Sequence, residues 1–194
     1  MRILILYANP VEGSFGATLH ETAIKSLRSR QHEIDDCDLY AESFNPVLSR
    51  EERLAYHDTN ADRARVKPYV DRLLAAEGLV LIYPVWNEGF PAILKGFFDR
   101  VFLPGVSFIE TPGGGVRPNL ANLQTIGAVC TYGADRLTTM FMGDPPRRVV
   151  NRLLRSLTSH RVNCDYLAHY DMNHTTDERR AKFLRKVERT LGQW

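Results

Sequence analysis

The sequence predicts an α/β fold: a doubly wound, five-stranded parallel sheet in the order 2-1-3-4-5, with helices on both faces. Three observations point to it. Apolar strand-like runs alternate with helical segments five times along the chain, the pattern of repeated βα units. Three of the strand runs are continuous β-branched and aliphatic stretches, as expected of strands buried on both faces. Right-handed crossovers through five strands favour that strand order.

Each element has its own reason. The strand runs are Ile3–Tyr7, His32–Leu39, Leu79–Tyr83, Thr125–Cys130 and Cys164–Ala168. The segment Ala17–Arg30 puts Leu19, Ala23, Ile24 and Leu27 on one side of a helix, and Asp62–Ala76 does the same with Val66, Val70, Leu73 and Leu74. A third helix runs from Pro91, where a missing N–H costs least, to Phe102. Asp144 stands as the cap of a fourth, with Pro145 at its first position, running to about Thr158. Thr175 with Glu178 has capping-box spacing for a last helix ending near Leu191 and Gly192. Two segments fall outside the repeat. Asn45–Asn60 carries its own capping box, Ser49 with Glu52, and predicts a short excursion helix. Leu103–Asn122 is rich in Gly and Pro, with Gly113–Gly115 as its tip, and predicts a long functional loop over the strand ends.

Composition narrows the function. At 194 residues the chain is expected to form a single domain, 1–194, with a substantial core. A net charge of +2 points to neither nucleic acid nor an anionic membrane. Arg147, Arg148, Arg152 and Arg155 read as the solvated face of a helix, with no interleaved aromatics. Cys37, Cys130 and Cys164 have no short spacing, so neither a metal site nor a disulfide framework is expected, and Cys130 and Cys164 read as inert core residues. The first strand begins at once, leaving no room for a signal-peptide core, and no run approaches the ~18 apolar residues of a membrane span. The expectation is a reduced, cytoplasmic protein.

The most informative stretch is residues 83–102, Tyr-Pro-Val-Trp-Asn-Glu-Gly-Phe-Pro-Ala-Ile-Leu-Lys-Gly-Phe-Phe-Asp-Arg-Val-Phe. A buried strand runs into a turn bearing Pro84, Val85, Trp86 and Asn87, and a helix follows. Open α/β sheets bind ligands at such carboxyl ends. The predicted topology brings two further loops to the same edge. Ala8–Thr18 carries Asn9, Ser14, Phe15, Gly16 and Ala17 just before a helix, a place where backbone N–H groups can hold a phosphate. It has no Lys or Arg, so neutral donors would hold the anion. The helix dipole offers only ~0.3–2 kcal/mol, so several N–H bonds of about 1.5–3 kcal/mol each would carry the affinity. Ser14 equally reads as a plain helix cap. The loop lacks the Gly-Lys-Ser/Thr ending of a P-loop, and Gly113-Gly114-Gly115 neither follows a strand nor opens a helix. The third loop is Thr131, Tyr132, Gly133 and Ala134 after the fourth strand run. Alone, a Thr-x-Gly turn or a Trp in the core would be unremarkable; the three loops together make the case.

Residues 83–102 resemble the flavin-contacting segment of the NAD(P)H:quinone oxidoreductase family, which has a flavodoxin-like fold. The resemblance covers about residues 2–170 and continues loosely into the last helix. The first loop resembles the family's phosphate loop, His-Pro…Ser-Phe-Asn-x-Ala-Leu, at Pro10, Ser14, Phe15 and Leu19. Asn9 replaces the usual histidine and Gly16 the usual asparagine. The third loop resembles the family's Thr-Thr-Gly-Gly turn, whose backbone donors face the flavin N1–O2 edge. Many members then carry a tyrosine and a histidine; here Asp135–Gly143 has neither, so no catalytic acid–base pair is assigned.

The resemblance implies a tightly bound FMN or FAD, a homodimer, and hydride transfer from NAD(P)H through flavin N5 to a quinone-like acceptor by ping-pong kinetics. It places Phe108 in the substrate pocket, and Phe141, with Met140 and Met142, suits that pocket or a subunit interface. Missing the tyrosine and histidine, the chain also fits a flavin-binding ancillary subunit of a partner such as a potassium-efflux system. A flavodoxin-type electron carrier fits less well, since carriers are usually acidic. A receiver-type signalling domain would need acidic residues where Tyr7-Ala8-Asn9 ends the first strand.

Overall fold

In the computed structural model, which describes residues 1–158 and 162–194, the first strand sets the architecture. Strand β1 (Arg2–Tyr7) is apolar at every position after Arg2. Its alternate residues therefore go to opposite faces, because successive strand side chains point opposite ways. Ile3, Ile5 and Tyr7 enter one apolar cluster; Leu4, Leu6 and Ala8 enter the other. β1 pairs in parallel with β2 (Glu33–Asp38) on one side and β3 (Gly78–Val85) on the other. β6 (Thr125–Tyr132) and β7 (Asn163–His169) complete the sheet in the order β2-β1-β3-β6-β7. This is the predicted 2-1-3-4-5 order, since β4 (Phe108–Thr111) and β5 (Gly115–Pro118) form a separate antiparallel hairpin.

Helices cover both faces. On one, α1 (Phe15–Arg28) buries Leu19, Ala23 and Leu27, and α7 (Asp177–Leu191) buries Phe183, Val187 and Leu191. On the other lie α3 (Lys67–Ala75) and α4 (Ala92–Val101), the latter burying Ile93, Leu94, Phe97 and Val101. Each such side chain contributes about 1.5–3 kcal/mol when fully buried, so period 2 in the strands and period 3.6 in the helices select this arrangement. The edge strand β2 is acidic, and Arg72 of α3 bridges Asp35 at 2.7 Å and Glu42 at 2.8 Å. Burial pushes the Cys37 and Cys130 thiols up to about 12 and Cys164 up to about 11, which disfavours the thiolates.

The excursion is pinned to the sheet's helices. The capping box of Ser49 and Glu52 starts α2 (Arg50–Leu54) as the sequence predicts. Glu52 also pairs with Arg100 of α4, a guanidinium only 5% exposed. Gly96 is required where the excursion crosses α4, since a Cβ there would meet Pro46 O at 2.3 Å. His57 Nδ1 reaches Glu110 Oε1 at 2.8 Å, tying the excursion to the β4–β5 hairpin.

Four expectations need correction. Leu103–Asn122 holds the β4–β5 hairpin, turned by Gly113 and Gly114 at φ 99° and 84°. Asp135–Gly143, which the sequence reading assigned to no element, holds a helix, α5 (Arg136–Phe141), because Asp135 accepts from the N–H groups of Leu137 and Thr138. The helix expected over Asp62–Ala76 is α3, which starts at Lys67 and not at Asp62. The last helix is capped one residue later than its spacing suggests: Thr176 accepts from Arg179 N–H. Asp144 does not cap α6 (Pro145–Arg148); it sits at φ 45° with its side chain turned inward, and the helix loosens to π geometry over Val149–Leu154.

Candidate active site

Backbone pairing brings the three loops together. Ala8 N–H donates to Ile82 O at 2.9 Å, which joins the start of the first loop to the end of β3. Pro84 pairs in register with Thr131, and Val85 with Tyr132, which joins the second loop to the third. Asn9, Ser14, Trp86, Asn87, Thr131 and Gly133 therefore share one edge of the sheet.

In the first loop Ser14 caps α1: its Oγ accepts from Ala17 N–H at 3.2 Å and from Asn9 Nδ2 at 3.0 Å. Asn9 Oδ1 takes Val11 N–H at 3.0 Å, so the Asn9 side chain braces the loop from inside. A Cβ on Gly16 would fall 2.4 Å from Asn9 Nδ2. The first-turn N–H groups of Phe15 and Gly16 have no intrahelical acceptor, and no acidic residue stands in that turn. The Phe15 ring turns away from the edge, against His169 and Phe183 at 5.6 and 6.5 Å.

The second loop is tight. Trp86 and Gly89 exchange backbone hydrogen bonds of 3.1 and 2.9 Å, and Asn87 and Glu88 take positive φ of 48° and 56°. Two adjacent non-glycine residues in that region carry strain of order 1–3 kcal/mol each, which typically clusters at functional sites. Trp86 is 43% exposed, so its ring is a free face and not a core aromatic. Glu88 Oε2 is sealed from solvent with no hydrogen-bond partner among the described residues. Sequence reasoning passed over Glu88; nothing in an isolated Glu in a turn distinguishes it.

In the third loop Thr131 is half-buried and Gly133 exposed. Tyr132 is buried and turned to the far face of the sheet, where its hydroxyl donates to Asp144 at 2.6 Å. Only its backbone is available to the edge. Beyond this turn a groove of about 780 Å³ runs beside α7, with Arg136, Arg179, Lys182 and Lys186 along it and His169 in its wall. Burial, and then the charge of Arg179, hold the His169 pKa below the ordinary value.

The two expected substrate residues part company. Phe108 lines an apolar cavity of about 300 Å³ with Phe90, Phe98 and Leu157. Phe141 is 92% exposed on α5 and is not in that cavity. No group of His, Cys, Asp and Glu among the described residues could hold a metal ion, and no helix among them is long and apolar enough to cross a membrane.

The residues at the edge fit a flavin. The α1 amides and the absence of acid beside them suit its phosphate, the free Trp86 face suits its ring, and the orphaned Glu88 oxygen suits one of its N–H or hydroxyl donors.

The flavodoxin-like fold family matches residues 1–191. The chain is 31% identical over 128 residues to rat NAD(P)H dehydrogenase [quinone] 1, covering 55% of this chain and 45% of that one. It is 30% identical over 141 residues to FMN-dependent NADH:quinone oxidoreductase 1 of Bradyrhizobium diazoefficiens, covering 68% of this chain and 67% of that one. The solved NAD(P)H:quinone oxidoreductase of Methanothermobacter marburgensis superposes with a TM-score of 0.86 at 25% identity, over 99% of this chain and 98% of the other. The chain spans about half the length of the curated relatives it matches first.

Proposed function

The chain belongs to the flavodoxin-like fold family, and we propose that it is a flavin-dependent NAD(P)H:acceptor oxidoreductase acting on quinone-like compounds. The observation that carries this reading is the shared edge: α1 amides, an exposed Trp86 face and the Thr131–Gly133 turn, joined by the Ala8–Ile82 bond and the Pro84–Thr131 register. The names of relatives at 30–31% identity point the same way.

When bound, the flavin supplies hydride acceptance and delivery at N5. The chain's residues bind and orient it. The N–H groups of Phe15 and Gly16 would hold the phosphate, and Ser14 and Asn9 fix the curvature of that loop. Trp86 would flank the ring and exclude water. The backbone N–H groups of Thr131–Gly133 would face the N1–O2 edge, where preorganised donors stabilise developing charge. Pro84, Val85 and Ala17 shape the edge. Phe108 is proposed to line the acceptor pocket and Phe141 to contact substrate or a second copy. The apolar, exposed α5 supports a homodimer, and the free thiols, buried at Cys37 and Cys130 and half-buried at Cys164, support a cytoplasmic setting.

FMN would end at α1. FAD would extend further, and its second phosphate would lie in the basic groove beyond Phe15 and His169. Heat release and identification of the flavin separate the two. Initial rates against NAD(P)H at several quinone concentrations should give parallel double-reciprocal lines, because donor and acceptor use one flavin face in turn; intersecting lines would require a ternary complex.

A further inference from the structure

Asp144 breaks two rules at once. It is 8% exposed, yet no Lys, Arg or His nitrogen among the described residues lies within ion-pair reach of it. It also sits in left-handed backbone, at φ 45° and ψ 63°, without capping the helix it precedes. A buried carboxylate without a cation is costly, and so is left-handed backbone for a non-glycine residue. Such costs persist where they serve a function.

Among the described residues, only hydroxyl groups reach the carboxylate oxygens. Tyr132 donates to Oδ1 at 2.6 Å and Tyr170 reaches Oδ2 at 3.5 Å. Tyr132 also shares a hydrogen bond of 2.5 Å with Tyr166, whose ring lies under the Arg147 guanidinium at 5.4 Å. Burial above all drives the Tyr132 phenol far above its ordinary range, so the phenol keeps its proton and stays a donor to Asp144. Tyr132 is the middle residue of the Thr131–Gly133 turn. The carboxylate therefore lies one tyrosine side chain behind the amides proposed to face the flavin N1–O2 edge.

We propose that Asp144 is an electrostatic tuning residue whose buried charge lowers the reduction potential of the bound flavin. The proposal rests on the flavin reading above. Two-electron reduction adds negative charge at the N1–O2 edge, and a fixed negative charge behind that edge opposes it. A unit charge at about 10 Å, through an effective dielectric of about 20, shifts such an equilibrium roughly tenfold.

The test is the flavin midpoint potential of the purified holoprotein, with flavin affinity measured alongside. Asp144→Asn keeps the shape and an acceptor for Tyr132, so flavin should stay bound. The potential should rise by roughly a tenfold change in the reduced-to-oxidised ratio, ~30 mV for a two-electron couple. Asp144→Glu should return it toward wild type. Arg147→Gln leaves the Asp144 hydrogen bonds intact and should lower the potential, since a cation is lost from the same network. An unchanged potential in Asp144→Asn overturns the proposal and leaves the network a structural brace. If that variant does not fold, an unchanged potential in Arg147→Gln overturns it instead. Wild-type protein without flavin would defeat the flavin reading itself, a separate outcome.

Discussion

The side-chain amide of Asn9 occupies the space that a Cβ on residue 16 would need: an ideal Cβ on Gly16 lies 2.4 Å from Asn9 Nδ2. The two departures from the family's phosphate-loop pattern are thus one change. The residue at position 9 reaches inward to Ser14 Oγ at 3.0 Å, and position 16 is emptied to receive it. The backbone amides proposed to hold the phosphate stay open at the start of α1, and the Asn9–Ser14 bond braces the loop from inside.

This pairing predicts a non-additive double mutant. Gly16→Ala should displace the Asn9 amide, disturb the Ser14 cap and weaken flavin binding at least several-fold. Asn9→Ala/Gly16→Ala should bind better than Gly16→Ala alone, with a coupling of about 0.5–3 kcal/mol as for residues in contact. Flavin titration of the apoprotein measures both; strictly additive losses would show that Asn9 and Gly16 act independently.

Ser14→Asp separates folding from binding. Aspartate is as good a helix cap as serine, so Ala17 N–H keeps its acceptor and thermal stability should change little. The added negative charge faces the phosphate with no Lys or Arg between Ala8 and Thr18 to offset it. Flavin occupancy should fall to near zero at an unchanged melting temperature. Full occupancy would mean that the phosphate lies elsewhere.

Trp86→Ala should behave similarly for a different reason. At 43% exposure the ring contributes little to the core, so stability should move by less than about 1 kcal/mol. The flavin would lose a flanking surface and gain water, lowering occupancy or turnover. A variant with wild-type occupancy and turnover would remove Trp86 from the site.

A second copy is predicted to cover α5. Leu137, Met140, Phe141 and Met142 are 77%, 60%, 92% and 58% exposed, a patch that a monomer would leave in water. Sedimentation should show a dimer at micromolar concentration, and Phe141→Asp should weaken it. A 22.1 kDa species alone would sink this prediction.

Much of the fold was legible because burial writes itself into period. The runs in β1, β3 and β6 are too continuous for half-exposed strands, and the Ser49–Glu52 capping box names its own helix. What stayed hidden depends on partners distant in sequence. Asp144 before Pro145 looks like a cap, and only the fold brings Tyr132 and Tyr170 to its carboxylate. The strands Phe108–Thr111 and Gly115–Pro118 are four residues each, and Gly and Pro mask their alternation. The three loops were readable by position, but Glu88's sealed oxygen and the groove beside His169 exist only in three dimensions.

The most direct test of the central claim is a pair of anaerobic half-reactions on the purified, flavin-loaded protein. NAD(P)H alone should bleach the flavin, and a quinone added after the nicotinamide is removed should restore its colour, each step at a rate no slower than turnover. A bound flavin that neither nicotinamide reduces would contradict the oxidoreductase account and favour an ancillary flavin-binding role.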